Sequence, residues 1–420
     1  MKRLSITLLC ALGLSACGGG GGDDAPSAPQ TFTVSEKIEN RPTVPVFFPW
    51  SGSQSPEAGM PECNQAEYMW FDCDTETNPY SLVWHNEGHA KDIEDTGNTA
   101  QQVVIDRMKG DPDTLYLIAE EWHYYYPEFR TLDETSVHYS GVEFEPHNGS
   151  EYGQTLLINF DLQSWADLLA EKSFNYQASG YNGIMFDWWH DSADGIWDEN
   201  DPNDFRTAEE IRQARLQIAK TIREQVGEDF IILANVNNNE PDEVAPYMSG
   251  VFMELYKEPT HQYTTEEIGE YVRLVQAWDE TLADPKMIAL NTWKVTPEGV
   301  DFVEARYQEP NPTLAQMFSA IAMVIPENGY IMYGDNNDDW DGGDHQHAYY
   351  DSYKTDLGKA IDKTQYTVIS SDSNQVPIAA YKEFEKGYAV FNRSDAESFT
   401  FTLNGEQHTI LPMTGMYIQN

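Results

Sequence analysis

Gly180-Tyr181-Asn182-Gly183-Ile184-Met185-Phe186-Asp187-Trp188-Trp189-His190 is the stretch that decides the fold. Ile184 to Phe186 form a short apolar run, with two glycines before it and an acid at its end. A run of this length between breakers reads as a strand buried on both faces, as in a parallel sheet. The acid then emerges at the strand's carboxyl end, where α/β barrels carry their chemistry. Asp187 is therefore a candidate catalytic carboxylate, and the aromatic residues behind it are candidate stacking surfaces. A strand-end aspartate that caps the next helix, with both tryptophans in the core, accounts for the same residues.

Working outward, the pattern repeats. Apolar, β-rich runs stand at residues 44–48, 80–85 and 114–119 before this stretch, and at 230–234, 251–253, 286–290 and 329–333 after it. Stretches at helical spacing lie between them, at residues 100–109, 265–282 and 313–325 and from Ser164 onward through Trp165, Leu168 and Leu169. Ile211, Ala214, Ile218, Ile222 and Val226 trace one helix face, opened by a Thr207/Glu210 capping box and closed by Gly227. Strands alternating with helices predict a parallel sheet, and eight of them predict an α/β chain folded as a (β/α)8 TIM barrel. From residue 363 the texture changes to short strands at 366–369, 376–379, 388–391, 399–403 and 416–418, with turns at Asn392-Arg393-Ser394-Asp395 and Asn404-Gly405. The expected organisation is a barrel over residues 39–362 and a small antiparallel, sandwich-like β domain over 363–420.

The amino end carries an address. Lys2 and Arg3 precede a short apolar core, and Leu14-Ser15-Ala16-Cys17 follows it. The run is too short to span a bilayer and reads as a cleaved signal over residues 1–17. Leu-Ser-Ala-Cys resembles the bacterial lipobox, which implies lipidation of Cys17 and a lipid anchor in the membrane. Gly18 directly after the cysteine fits an outer-membrane lipoprotein, on either the periplasmic or the cell-surface side. Residues 18–38, rich in Gly, Pro and Ser at their start, are expected to be a flexible tether. Of the four cysteines, Cys10 leaves with the signal and Cys17 takes lipid; Cys63 and Cys73 remain and are expected to form a disulfide in an oxidising compartment.

The chain of 420 residues has a formal net charge of −45, with acids spread along its length, which argues against a nucleic-acid partner. Aromatic residues make up 13%, including 11 Trp and 24 Tyr. Core packing accounts for part of that surplus, and sugar-stacking surfaces beside acids for the rest. Polar and aromatic residues gather after the strands: Glu120, Glu121, Trp122 and His123 after the third, Trp188, Trp189 and His190 after the fourth, Asn235 and Asn237 after the fifth, Glu254 and Tyr256 after the sixth, Trp293 after the seventh and Asp335 after the eighth. The Asp-rich loops at residues 191–204 and 334–341 lack EF-hand spacing and read as solvated loops. No Gly-x-Ser-x-Gly, His-Glu-x-x-His or Walker-type loop occurs, so no metal centre or cofactor is expected. A surface ligand pair within Asp344-His345-Gln346-His347 is the lesser alternative.

With those residues in place, the chain resembles a known group. Gly180 to Asp187, preceded by Leu157-Ile158-Asn159-Phe160-Asp161 and a helix, is similar to the G-Y-x-G-x-x-x-D stretch of glycoside-hydrolase-like barrels, including the endo-α-galactosaminidase and α-galactosidase types. Val390-Phe391-Asn392-Arg393-Ser394 resembles the β domain that follows such barrels. The resemblance implies a nucleophile after strand four and a general acid/base after strand six, here Asp187 and Glu254. Glu120 and Glu121 are alternative acids; they alternate in direction on a strand, so one of them faces the site.

Glycosidic bond cleavage needs two carboxylates, one to protonate the leaving oxygen and one to attack the sugar or activate water. Direct attack, with retention, is the expected course. Trp122, Trp188, Trp189 and Trp293 are candidate stacking faces for a poly- or oligosaccharide; His123, His190, Asn235, Asn237, Tyr256 and Asp335 are candidate hydroxyl contacts. A non-catalytic glycan-binding lipoprotein and a polysaccharide lyase are the competing readings.

Overall fold

The computed structural model describes residues 31–51, 80–86, 108–120, 122–125, 144–146, 156–158, 160, 162–190, 207–255, 257–334 and 347–420. Strands Phe47–Ser51, Leu82–Asn86, Leu115–Glu120, Gly183–Phe186, Ile231–Asn235, Gly250–Glu254, Met287–Trp293 and Gly329–Gly334 pair in that order, all parallel. The first and last strands meet through a parallel bridge between Val46 and Ile331, with the Ile331 amide donating to Pro45 O at 2.9 Å. The chain is a (β/α)8 barrel followed by antiparallel β-structure, as its alternating pattern predicted.

Alternation along each strand sorts the core into two shells. Phe47, Leu82, Trp84, Leu117, Met185, Leu233, Phe252, Ala289, Tyr330 and Met332 pack together inside the ring. Phe47 stacks on Trp84 at 5.4 Å between ring centroids, and Trp84 meets Phe252 edge-on at 5.1 Å. The opposite set, such as Ile184, Phe186, Ile232 and Ala234, packs outward on the helices. Helices Gln163–Ala178 and Ala208–Val226 flank the Gly183–Phe186 strand in the chain. The second buries the expected face through Ile211, Ala214, Ile218, Ile222 and Val226, and the Thr207/Glu210 capping box forms.

Two expectations change. The tether predicted to reach residue 38 gives way to helix Val34–Asn40, capped by Thr33 and Glu36, because Val34, Lys37 and Ile38 fall on one buried face. The Lys37 ammonium donates to Met108 O at 2.7 Å and Thr114 O at 2.8 Å, which fastens this helix beneath the third strand. The second change is strand Phe144–Pro146, which was not foreseen and which pairs with Leu156–Ile158 and thereby with Tyr124–Tyr125. Among the described residues no helix is long and apolar enough to cross a membrane. Residues 1–17 with Cys17, the Cys63/Cys73 pair and the loop 191–204 lie outside the described residues.

After the barrel, strands Thr367–Ser371, Pro377–Phe384, Gly387–Asn392 and Thr414–Gln419 make an antiparallel sheet, and Phe399–Leu403 pairs with Glu406–Ile410, a strand not foreseen. The sheet sits directly on helix Asn311–Val324: a Cβ on Gly415 would lie 2.4 Å from Gln316 O. Arg393, in the connection that follows strand Gly387–Asn392, is buried; it donates to Pro377 O at 2.7 Å and to Asp372 at 2.8 Å, and reaches Thr265 O on the barrel.

The glycines of the opening motif serve the backbone. Gly180, at φ 98°, turns the chain out of helix Gln163–Ala178 in a conformation that side chains resist. The Asn182 side chain accepts from the Tyr116 amide at 3.0 Å, and its backbone donates to Tyr116 O at 2.7 Å, so strands three and four are knitted at their start. Gly183 lets strand five approach, since a Cβ there would stand 2.5 Å from Ile231 O and 2.6 Å from Ile231 Cβ. Gly183→Ala is therefore expected to destabilise the fold by about 1–3 kcal/mol through overpacking, read as a lowered midpoint in urea unfolding.

Candidate active site

The fourth, fifth and sixth strands end side by side, and each delivers one polar residue to the same mouth. Asp187 follows Phe186, Asn235 closes the fifth strand and Glu254 closes the sixth. The Asn235 amide nitrogen donates to Asp187 Oδ1 at 2.8 Å and to Glu254 Oε2 at 2.9 Å. Those two oxygens therefore stand no further apart than about 5.7 Å, the two bond lengths end to end, and nearer about 5 Å if the donors diverge as in a planar amide. The amide cannot swing round: Asn235 Oδ1 accepts from the Asn237 backbone N–H at 3.0 Å, and the Asn235 carbonyl accepts from the Trp189 N–H at 2.8 Å.

Both carboxylates keep a partly accessible surface yet lie deep enough for protein to replace most of their hydration. Burial pushes Asp187 up from 3.8 to about 7, helped by the neighbouring Glu254 charge and opposed by the Asn235 and Trp188 N–H donors. Burial likewise raises Glu254, against the pull of Asn235. Two such neighbouring groups titrate as a pair, and both hold their protons above the usual carboxylate range. The arrangement can hold one proton and one negative charge on opposite sides of a small gap.

The loop after strand four is pinned at each residue. Trp122 Nε1 donates to Asp187 O at 2.9 Å, the Trp188 N–H to Asp187 Oδ1 at 2.9 Å, and the His190 N–H to Trp188 O at 3.0 Å. The His190 and Asn237 side chains meet at 3.4 Å. Trp188 at φ 51° and Asn237 at φ 50° both adopt left-handed backbone, which is costly for a bulky indole.

The candidates thus part company. Asp187, Glu254, Asn235, Asn237, Trp188 and His190 converge. Asn235, expected to touch substrate hydroxyls, is instead committed to the two carboxylates, and His190 is buried against Asn237 and Trp188. Trp122 and Trp189 are packing residues rather than open faces: Trp189 stacks on Phe186 at 4.8 Å, and Trp122 sits at 5.1 Å from both Trp189 and Phe160. His123 and Trp293 are likewise buried. Glu120 is corrected as an alternative acid, because it points outward, away from the ring interior, to Lys172 at 2.7 Å and the Tyr176 hydroxyl. His347 is buried against Tyr80 at 3.1 Å rather than at the surface. Glu121, Tyr256 and Asp335 lie outside the described residues, as do residues 335–346.

One residue went unmarked. Asn291 is fully buried on strand seven and pairs in register with Glu254, on the inward face it shares with Met287 and Ala289. Its place in an apolar run ending Leu290-Asn291 was the available signal, since a polar side chain inside a barrel strand calls for a partner.

No protein-family model matches the chain, and no curated protein matches it by sequence. Among solved structures it is similar to the debranching enzyme of Nostoc punctiforme, soaked with acarbose, at TM-score 0.51 and 10% identity over 90% of this chain and 99% of that one. The α-amylase of Geobacillus thermoleovorans, complexed with acarbose, has TM-score 0.50 and 10% identity over 90% and 98%. At this identity the shared property is the fold.

The folded chain keeps the Asp187 proton to about pH 7, whereas the unfolded chain releases it near 3.8, so stability falls as pH climbs through that window. Asp187→Asn removes the penalty. Its melting temperature is expected to exceed that of the wild type by more at pH 8 than at pH 5, the gain growing by about 2–3 kcal/mol between them. Thermal unfolding at both pH values checks this.

Proposed function

We propose that this protein is a glycoside hydrolase acting on a poly- or oligosaccharide with retention, through Asp187 and Glu254. The observation that carries the reading is the single Asn235 amide shared by two carboxylates of raised pKa at the carboxyl end of a (β/α)8 barrel. The two oxygens that share the Asn235 amide stand within about 5.7 Å of each other, a close approach that supports direct attack with retention. Two solved structures of like fold carry the names α-amylase and debranching enzyme, which agrees with the sugar chemistry without specifying it.

In this reading the Asp187 carboxylate attacks the anomeric carbon while Glu254 protonates the departing glycosidic oxygen. The carbon–oxygen bond breaks and a glycosyl ester forms on Asp187. Glu254, now ionised, takes a proton from the water that cleaves this ester, which releases the sugar and restores the pair. Asn235 positions both groups through each step. Cys17 anchors the enzyme by lipid on the outer membrane, with residues after it as spacer, and the barrel and the C-terminal β domain work beyond it.

Asp187→Asn and Glu254→Gln are each expected to lower kcat at least about a thousandfold on a polysaccharide that gives new reducing ends with the wild type. Full activity in either variant refutes the assignment. Product analysis by NMR is expected to show the substrate's anomeric configuration first. Because Asp187 must be ionised to attack, and burial with the Glu254 charge holds its proton to about 7, kcat/KM is expected to rise as pH climbs toward that value. New ultraviolet absorbance in the product, in place of reducing ends with saturated rings, would mean a lyase.

A further inference from the structure

Trp188 presents a physical contradiction. The residue is 41% exposed, although burying an aromatic side chain is among the larger gains open to a fold. Its backbone sits at φ 51°, a conformation that costs a non-glycine residue free energy and persists only where its surroundings impose it. Those surroundings are on hand: its N–H is held by Asp187 Oδ1, its carbonyl by the His190 N–H, and the next N–H by Asn235 O. The buried His190 ring lies against the indole at 5.8 Å and is fixed in turn by Asn237. The fold spends strain to hold a flat apolar surface in water, one residue from a reactive carboxylate.

We propose that the exposed face of Trp188 is the platform on which the apolar face of a neutral pyranose ring stacks, in the subsite beside Asp187. It rests on the hydrolase reading for the place of the scissile bond but not for binding itself. A flat ring suits a pyranose, which presents several C–H groups on one side and hydroxyls at its rim. Neutrality follows from the surroundings: the platform adjoins Asp187 and Glu254 in a chain of net charge −45, so a uronate or sulfated sugar would be repelled where it must seat.

The test uses the full chain carrying Asp187→Asn, probed on an array of neutral gluco-, galacto-, manno- and xylo-oligosaccharides, with oligogalacturonate and oligomannuronate as charged arms. At least one neutral series is expected to bind, and adding Trp188→Ala is expected to weaken that binding about tenfold while Trp188→Phe keeps most of it. Trp188→Gly separates platform from packing: glycine accepts the left-handed backbone, so binding should be lost while the melting temperature equals or exceeds that of Trp188→Ala. Undiminished binding in Trp188→Ala, binding confined to the charged arms, no binding at all, or a Trp188→Gly melting temperature below that of Trp188→Ala each overturns the proposal. Trp188-dependent binding by a wild-type chain that turns over none of these sugars supports the platform while sinking the hydrolase reading.

Discussion

One amide holds the site together. Asn235 offers its two N–H bonds to two acids that repel each other, and nothing smaller would fix both oxygens at once. The arrangement works because the amide is itself held, by the Asn237 N–H on its oxygen, so its donors can face only the carboxylates. A water in that place would satisfy the acids but could rotate and leave. The barrel supplies the remaining constraint by ending its fourth, fifth and sixth strands in adjacent register, which places the three side chains in reach of one another.

Depth governs the chemistry of the pair. Inside the ring, Phe47, Trp84 and Phe252 pack on one another as an apolar core. Protein thus penalises ionisation of both acids, and the proximity of Glu254 adds to the penalty on Asp187. The outcome is a proton held on Asp187 to about pH 7. The cost appears as strain and buried charge at the mouth, offset by a barrel whose interior is apolar and a helix, Val34–Asn40, that closes against its third strand through Lys37.

The alternation of short apolar runs with amphipathic helices made the barrel legible, since each run is buried on both faces and leaves a continuous hydrophobic signal. Asp187 stood out as the acid that ends such a run, and Glu254 was reached through the resemblance to glycoside-hydrolase-like barrels; the structure brings both to the Asn235 amide. The roles of their neighbours were not. Trp122 and Trp188 look alike in sequence, each one step past a strand-end acid, yet one is wholly buried and the other open. Glu120 was the alternative to Glu254, but a strand reverses direction at each residue, and Glu120 falls on the face turned to Lys172.

Sequence by itself determined the order of strands and helices, the ring they make and the acid at the end of the fourth strand, because these follow from local hydrophobic period and from where it stops. Tertiary structure alone decided that the Asn235 amide bonds both acids, that Glu120 turns to Lys172, that Asn291 lies beside Glu254, and that Trp188 stays exposed. Each of those depends on which face of one strand meets which face of another, and on backbone angles imposed by partners far away in the chain. Such information is absent from any single stretch of residues and arises only when the ring closes.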